Sequence, residues 1–132
     1  FSHNIECVER ISRSVRAQSV WSRSKEVLRM SIDYGLNTKT GMMVGLGETD
    51  SEVFETMDEI ASLGVSIFNI GQYLQPTKKH LKVDRYVNPA QFLKYKEYGL
   101  NIGFKVVESG PLVRSSYMAD KQAKLFNAQN VA

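Results

Sequence analysis

Cysteine is almost absent from this 132-residue sequence, in which Cys7 stands alone. A single thiol forms no internal disulfide, so a reducing compartment is the natural setting, and it cannot build a thiolate metal site by itself. Long hydrophobic runs are missing too: none approaches the eighteen or so apolar residues of a membrane span, and the first residues lack the basic, then apolar, then small-residue succession of a secretory leader. No membrane partner is expected. Charge of one sign is also scarce. The net charge is +3, and the basic residues are dispersed apart from Lys78-Lys79-His80 and the set Arg10, Arg13, Arg16. Nucleic acid asks for a denser stripe with stacking aromatics, so no nucleic-acid partner is expected either. There is no low-complexity stretch. Because the chain opens on Phe1 rather than Met, it is expected to be a piece of a longer one.

What is present is ordinary globular composition, 42% hydrophobic and 23% charged, enough for one domain or part of a larger one. Arg10, Arg13 and Arg16 recur at helical spacing from near Val8, which reads first as a solvated face. From Ser22 to Tyr34 an apolar stripe of Val27, Leu28 and Ile32 predicts a helix that Gly35 stops. The period then changes. Thr38 to Leu46 fits a strand buried on both faces. Thr49 with Glu52 predicts a capping box, followed by a helix whose stripe is Val53, Met57, Ile60 and Ala61 and whose end is Gly64.

Val65 to Ile70 reads as a central strand, and a long polar connection runs from Gly71 to Val87. Asn88 caps the next helix, with Pro89 at its first position and Gln91 in the reciprocal place; Phe92, Tyr95 and Leu100 supply its face. Phe104 to Val107 is the last strand. This alternation predicts an α/β fold with parallel strands covered by helices. Three such units make half of a closed barrel, and Phe1 to Glu6 read as the tail of a preceding strand, so the second half of a partial, TIM-like barrel is expected over residues 1–109. Residues 110–132 form a C-terminal extension.

In such folds ligands lie beyond the carboxyl ends of the strands. Three strand ends carry polar or glycine-rich sequence: His3-Asn-Ile-Glu6, Gly45-Leu-Gly-Glu48 and Gly71-Gln-Tyr-Leu-Gln-Pro76. Asn4 and Glu6 alternate, so both face one side of an extended chain, where they suit the two hydroxyls of a ribose. Gly45 and Gly47 permit a tight turn near a ligand, and Glu48 either serves that site or favours the positive end of the following helix. The dinucleotide fingerprint is excluded because Asp50 stands where its third glycine belongs. His3 and His80 are too isolated to form a metal pair, and no Ser-His-Asp or Cys-His arrangement is legible.

Phe1-Ser-His-Asn-Ile-Glu6, Lys39-Thr-Gly-Met-Met-Val-Gly-Leu-Gly-Glu48, Gly71-Gln-Tyr-Leu-Gln-Pro-Thr77, His80-Leu-Lys-Val83 and above all Gly110-Pro-Leu-Val-Arg-Ser-Ser-Tyr117 resemble, in order, the lipoyl synthase family. That resemblance implies a radical S-adenosylmethionine sulfurtransferase of lipoate biosynthesis. Such an enzyme inserts two sulfur atoms at the sixth and eighth carbons of an octanoyl group held on a lipoyl-carrier domain, an E2 subunit or a glycine cleavage H protein. It implies two 4Fe–4S clusters, one cleaving S-adenosylmethionine and an auxiliary one giving up sulfur, and an electron donor. It also implies a cytoplasmic location, or a mitochondrial or plastid one in a eukaryote.

By motif, Asn4 and Glu6 resemble the ribose-holding pair, and Met43 would pack on the adenine, with Gly45 allowing close approach and Glu48 acting structurally. Leu74 and Gln75 resemble a further adenine contact, while Arg16 is a candidate for the methionine carboxylate. Ser115, with Ser116 still open, resembles the serine that ligates an iron of the auxiliary cluster, and Arg114 would lend charge beside it. The cluster cysteines of that family lie upstream, and Cys7 stands where the family has threonine. The chain alone is therefore expected to hold no stable cluster, to be inactive, and to pair with itself through exposed strand edges. A biotin-synthase-like enzyme and a non-catalytic nucleotide- or phosphate-binding module are the alternatives.

Overall fold

A computed structural model describes residues 1–15 and 21–114. Seven elements follow in order: α1 (Glu9–Val15), α2 (Trp21–Asp33), β1 (Lys39–Val44), α3 (Asp50–Ser62), β2 (Ile67–Gln72), α4 (Pro89–Ile102) and β3 (Val106–Gly110). The strands form one sheet in the order β1-β2-β3, and both pairings are parallel. This is the α/β architecture expected from the alternating pattern, built like part of a TIM-like barrel. Residues 1–6 run along the free side of β1, bridged in parallel at Ser2 to Lys39 and at Glu6 to Met42. Their backbone bonds, such as Met43 N–H to the Glu6 carbonyl at 2.8 Å, make them the strand tail that the sequence suggested.

Local signals set the helix starts. The Thr49 side chain accepts from the Glu52 backbone while the Glu52 side chain returns to the Thr49 N–H, a complete capping box. Asn88 accepts from the Gln91 N–H, with Pro89 next to it where no N–H is needed. Gln91 contributes only its backbone to that cap, without the reciprocal side-chain bond that its position suggested.

Period-two alternation then divides the sheet. Val44, Phe68, Ile70 and Val107 sink into one core with Val53, Met57 and Ile60 of α3 and Phe92 and Tyr95 of α4. Gly41, Met43, Asn69 and Gly71, the alternate positions, line a cavity instead.

Four expectations shift. β3 begins at Val106 and runs to Gly110, not over 104–107, because Phe104 is drawn under the sheet to stack on Phe68, with ring centroids 5.0 Å apart. The Lys105 and Val106 N–H groups meet the Ser66 carbonyl before the ladder starts. β2 is displaced in the same sense, ending at Gln72, since its pairing with β1 continues to Val44. On α2 the buried side is Trp21, Ser24, Leu28 and Ser31, with Val27 and Ile32 only half-buried. Ser31 reaches that side because its hydroxyl bonds the Leu28 carbonyl at 2.8 Å and Thr38 Oγ1 at 2.7 Å. On α4 Leu100 is exposed, for the stripe that meets α3 and β3 runs through Phe92, Tyr95 and Gly99. Among the described residues no helix is long and apolar enough to cross a membrane.

Candidate functional site

The cavity lies over the half of the sheet that the helices leave uncovered, with a volume of about 150 Å³. Its floor follows from register: Gly41 stands opposite Asn69, and Met43 opposite Gly71. Asn4 and Glu6 enter from the strand tail, and Val113 and Arg114 close the far side. Glu6 takes φ 74°, the one positive φ outside glycine among the described residues, a conformation that costs about 1–2 kcal/mol and is common at ligand sites.

Glycine at position 71 brings the last described residues back over the sheet. A side chain there would collide with the Val113 carbonyl, so only glycine lets that turn lie against the end of β2. The turn is held by Val113 N–H to the Gly110 carbonyl at 3.2 Å. Arg114 donates to the carbonyls of Val113 at 2.9 Å and Pro111 at 3.3 Å, so its guanidinium is engaged with backbone at the cavity rim.

Asn69, which the sequence pattern passed over as one residue of a buried strand, is the notable member of the floor. It is 3% exposed, and neither its Nδ2 nor its Oδ1 has a hydrogen-bond partner among the described residues. The signal was available: a carboxamide standing alone among Ile67, Phe68 and Ile70.

In the glycine turn after β1, Glu48 acts structurally, as the resemblance implied. Glu48, 4% exposed, turns back to accept from the Gly45 N–H at 3.0 and 3.1 Å and the Leu46 N–H at 3.0 Å. Arg85 Nη2 meets the same carboxylate at 3.2 Å and Asp50 at 2.9 Å. Tyr95 donates to that Asp50 at 2.5 Å. Burial pushes the Tyr95 phenol upward, and the Asp50 carboxylate adds to it. Burial acts to raise Asp50, but the bonds from Tyr95 and Arg85 outweigh it and leave the carboxyl below its ordinary value.

Gly45, at φ 98°, is packed by Gln72 and the Arg85 carbonyl, so the close approach it permits is to its own chain. Gln72 completes the clamp, donating to the carbonyls of Tyr73 and Arg85 and accepting from the Val87 N–H. Both ends of the long connection are thereby tied to β2.

Of the residues singled out from sequence, Asn4, Glu6, Met43 and Arg114 come together around one cavity. Gly45 and Glu48 sit behind it in the clamp. Leu74 is 51% exposed, and Gln75 donates to the His80 carbonyl within the connection, so neither lines the cavity. Arg16, Ser115 and Ser116 lie outside the described residues. Arg10 is salt-bridged to Glu52 at 2.9 Å and donates to the Gly47 carbonyl. His3 bonds Ser24 and His80 bonds Thr77, separately. Cys7 is buried, and among the described residues no group of three or more His, Cys, Asp or Glu could hold a metal ion.

No family model matches the chain. Curated relatives do. Over 121 residues, 91% of this chain, it is 54% identical to the lipoyl synthase of Flavobacterium johnsoniae. It is 53% identical over 126 residues to that of Bacteroides fragilis and 52% identical over 126 residues to that of Rubrobacter xylanophilus. These alignments take in 96% and 94% of the chain. They span 42%, 44% and 39% of the three relatives, so the chain covers about two-fifths of their length.

Proposed function

The chain belongs with the lipoyl synthases as a stretch matching their C-terminal part, and from that premise we propose that it is the C-terminal portion of an enzyme that inserts two sulfur atoms into a carrier-bound octanoyl group. The observation that carries the reading is identity above half along more than nine-tenths of the chain. The substrate of the whole protein is then an octanoylated lipoyl-carrier domain, with S-adenosylmethionine as the radical source and an external electron donor.

The cavity suits part of S-adenosylmethionine. At about 150 Å³ it is smaller than the roughly 300–1,000 Å³ of a whole-ligand pocket, so it would take the nucleoside end of the ligand and not the whole of it. Asn4 and Glu6 would accept ribose hydroxyls, and Met43 would lie against the base. Iron–sulfur clusters are another matter: the described residues offer no thiolate set for them, so no step is assigned to a cluster within these residues. Ser115, or its neighbour Ser116, would reach the auxiliary cluster as an oxygen ligand from residues 110–132, taken as an extension of the barrel portion 1–109. When bound, S-adenosylmethionine supplies the radical that opens the octanoyl C–H bonds. This chain's part is to hold its nucleoside end and keep water from it.

The test is an anaerobic assay of the full-length protein with octanoylated carrier, S-adenosylmethionine and a reductant, followed by mass spectrometry of the carrier. Wild type should add both sulfur atoms. Ser115→Ala should still release 5′-deoxyadenosine but leave sulfur insertion incomplete, and normal yield from that variant would remove Ser115 from the cluster. A wild-type protein that leaves the octanoyl group untouched would sink the assignment.

A further inference from the structure

We infer that Asn69 is a recognition contact, its carboxamide reading the donor–acceptor edge of the base in the cavity. The inference rests on the reading above that the cavity receives the nucleoside end of S-adenosylmethionine. It starts from a cost. Both polar atoms of Asn69 are buried and without a hydrogen-bond partner among the described residues, in a side chain only 3% exposed. Such burial is unfavourable, and buried polar groups are nearly always satisfied by protein, water or ligand. The backbone cannot help, because β2 is the central strand and its ladders to β1 and β3 run through this residue, with Gly41 on one side and Glu108 on the other. Gly41 presents no side chain to answer it.

Both atoms are closed to solvent, so a ligand seated on the cavity floor supplies bonds that nothing among the described residues provides. The chemistry of the surroundings narrows that ligand. A carboxamide offers an N–H donor and a carbonyl acceptor side by side. An anion would leave the carbonyl facing a like partial charge, with the Glu6 carboxylate also on the cavity wall. The nearby cation offsets this only in part, since Arg114 already commits Nη1 to the carbonyls of Pro111 and Val113. A hydroxyl would answer one atom at a time. A neutral amidine edge answers both together, the pairing by which asparagine recognises adenine, and the Met43 thioether at the cavity is a soft apolar neighbour for the ring.

The test uses the full-length protein and two probes, S-adenosylhomocysteine and its analogue whose purine lacks the 6-amino group, titrated by calorimetry. Wild type should prefer the first about tenfold, the loss expected when one arm of a paired contact is missing. Asn69→Leu should bind S-adenosylhomocysteine about tenfold more weakly and show no preference, while its ligand-free melting temperature does not fall, because an unanswered amide has been removed. Asn69→Ala serves as the second variant in case leucine does not fit. Either folded variant retaining wild-type affinity and preference would overturn the contact, as would wild type binding both probes equally; if neither variant folds, the wild-type comparison decides. Wild type binding neither probe would bring down the nucleoside reading itself and this contact with it.

Discussion

Glu48 stands at a strand end where sequence alone leaves a ligand contact and a structural brace side by side, and in the fold it is the brace. It accepts two backbone N–H groups of the turn after β1 and the Arg85 guanidinium, all within 3.2 Å. Glu48→Ala would leave the Gly45 and Leu46 N–H groups buried without an acceptor and Arg85 with Asp50 as its remaining carboxylate, a loss of roughly 3 kcal/mol; Glu48→Gln, which keeps one acceptor, should lose about half as much. Urea unfolding measures both, and a neutral alanine variant would mean the brace carries nothing.

Glu52 makes a pH prediction. Its carboxyl is held at about 2 against an ordinary 4.5, first by the Arg10 hydrogen bond and then by the Thr49 backbone. The folded state therefore binds this proton less readily than the unfolded chain, so the stabilisation is complete above pH 4.5 and fades as the pH falls toward 2. Glu52→Gln retains the capping geometry without the charge, and its melting temperature should respond less to pH over that window. Parallel curves for the two proteins would contradict it.

Among the elements, the helices were the more legible. Thr49, Glu52 and Asn88 act on backbone groups three residues away, so their meaning is local: the Thr49 box forms in full and Asn88 caps as expected, without the reciprocal bond from Gln91. The limits of β2 and β3 were displaced because a strand ends where its partner does, and the partner is distant in sequence. The return of residues 110–114 over β2 is of the same kind. It depends on Gly71, some forty residues earlier, having no side chain beneath the Val113 carbonyl. Gly71→Ala should lift that turn, lower stability by about 1–2 kcal/mol through the clash, and speed tryptic cleavage after Arg114. Timed digestion followed by mass spectrometry reads this, and unchanged cleavage would show that the turn does not need the glycine.

At the scale of the whole chain, the sheet stops at β3, whose outer edge has no partner strand among the described residues. An unpaired edge is a template for another chain, and a sheet this small normally continues or closes. We accordingly propose that the chain expressed alone self-associates, with an apparent mass that rises with concentration in light scattering, whereas the full-length protein does not. A monodisperse monomer over the accessible concentration range would argue that the edge is protected in some other way.

The amino-acid sequence by itself determined the α/β alternation, the helix caps and the kinship with lipoyl synthases. Periodicity, capping and motif order all express relations between near neighbours or runs of identical residues. It also pointed to Asn4, Glu6, Met43 and Arg114, which the fold gathers at one cavity. Only the tertiary structure decided that Gly45 and Glu48 belong to a clamp with Arg85 and Gln72, and that Asn69 stands unanswered on the cavity floor. Whether a polar group has a partner is settled by residues that meet across the sheet. No spacing along the chain reveals that.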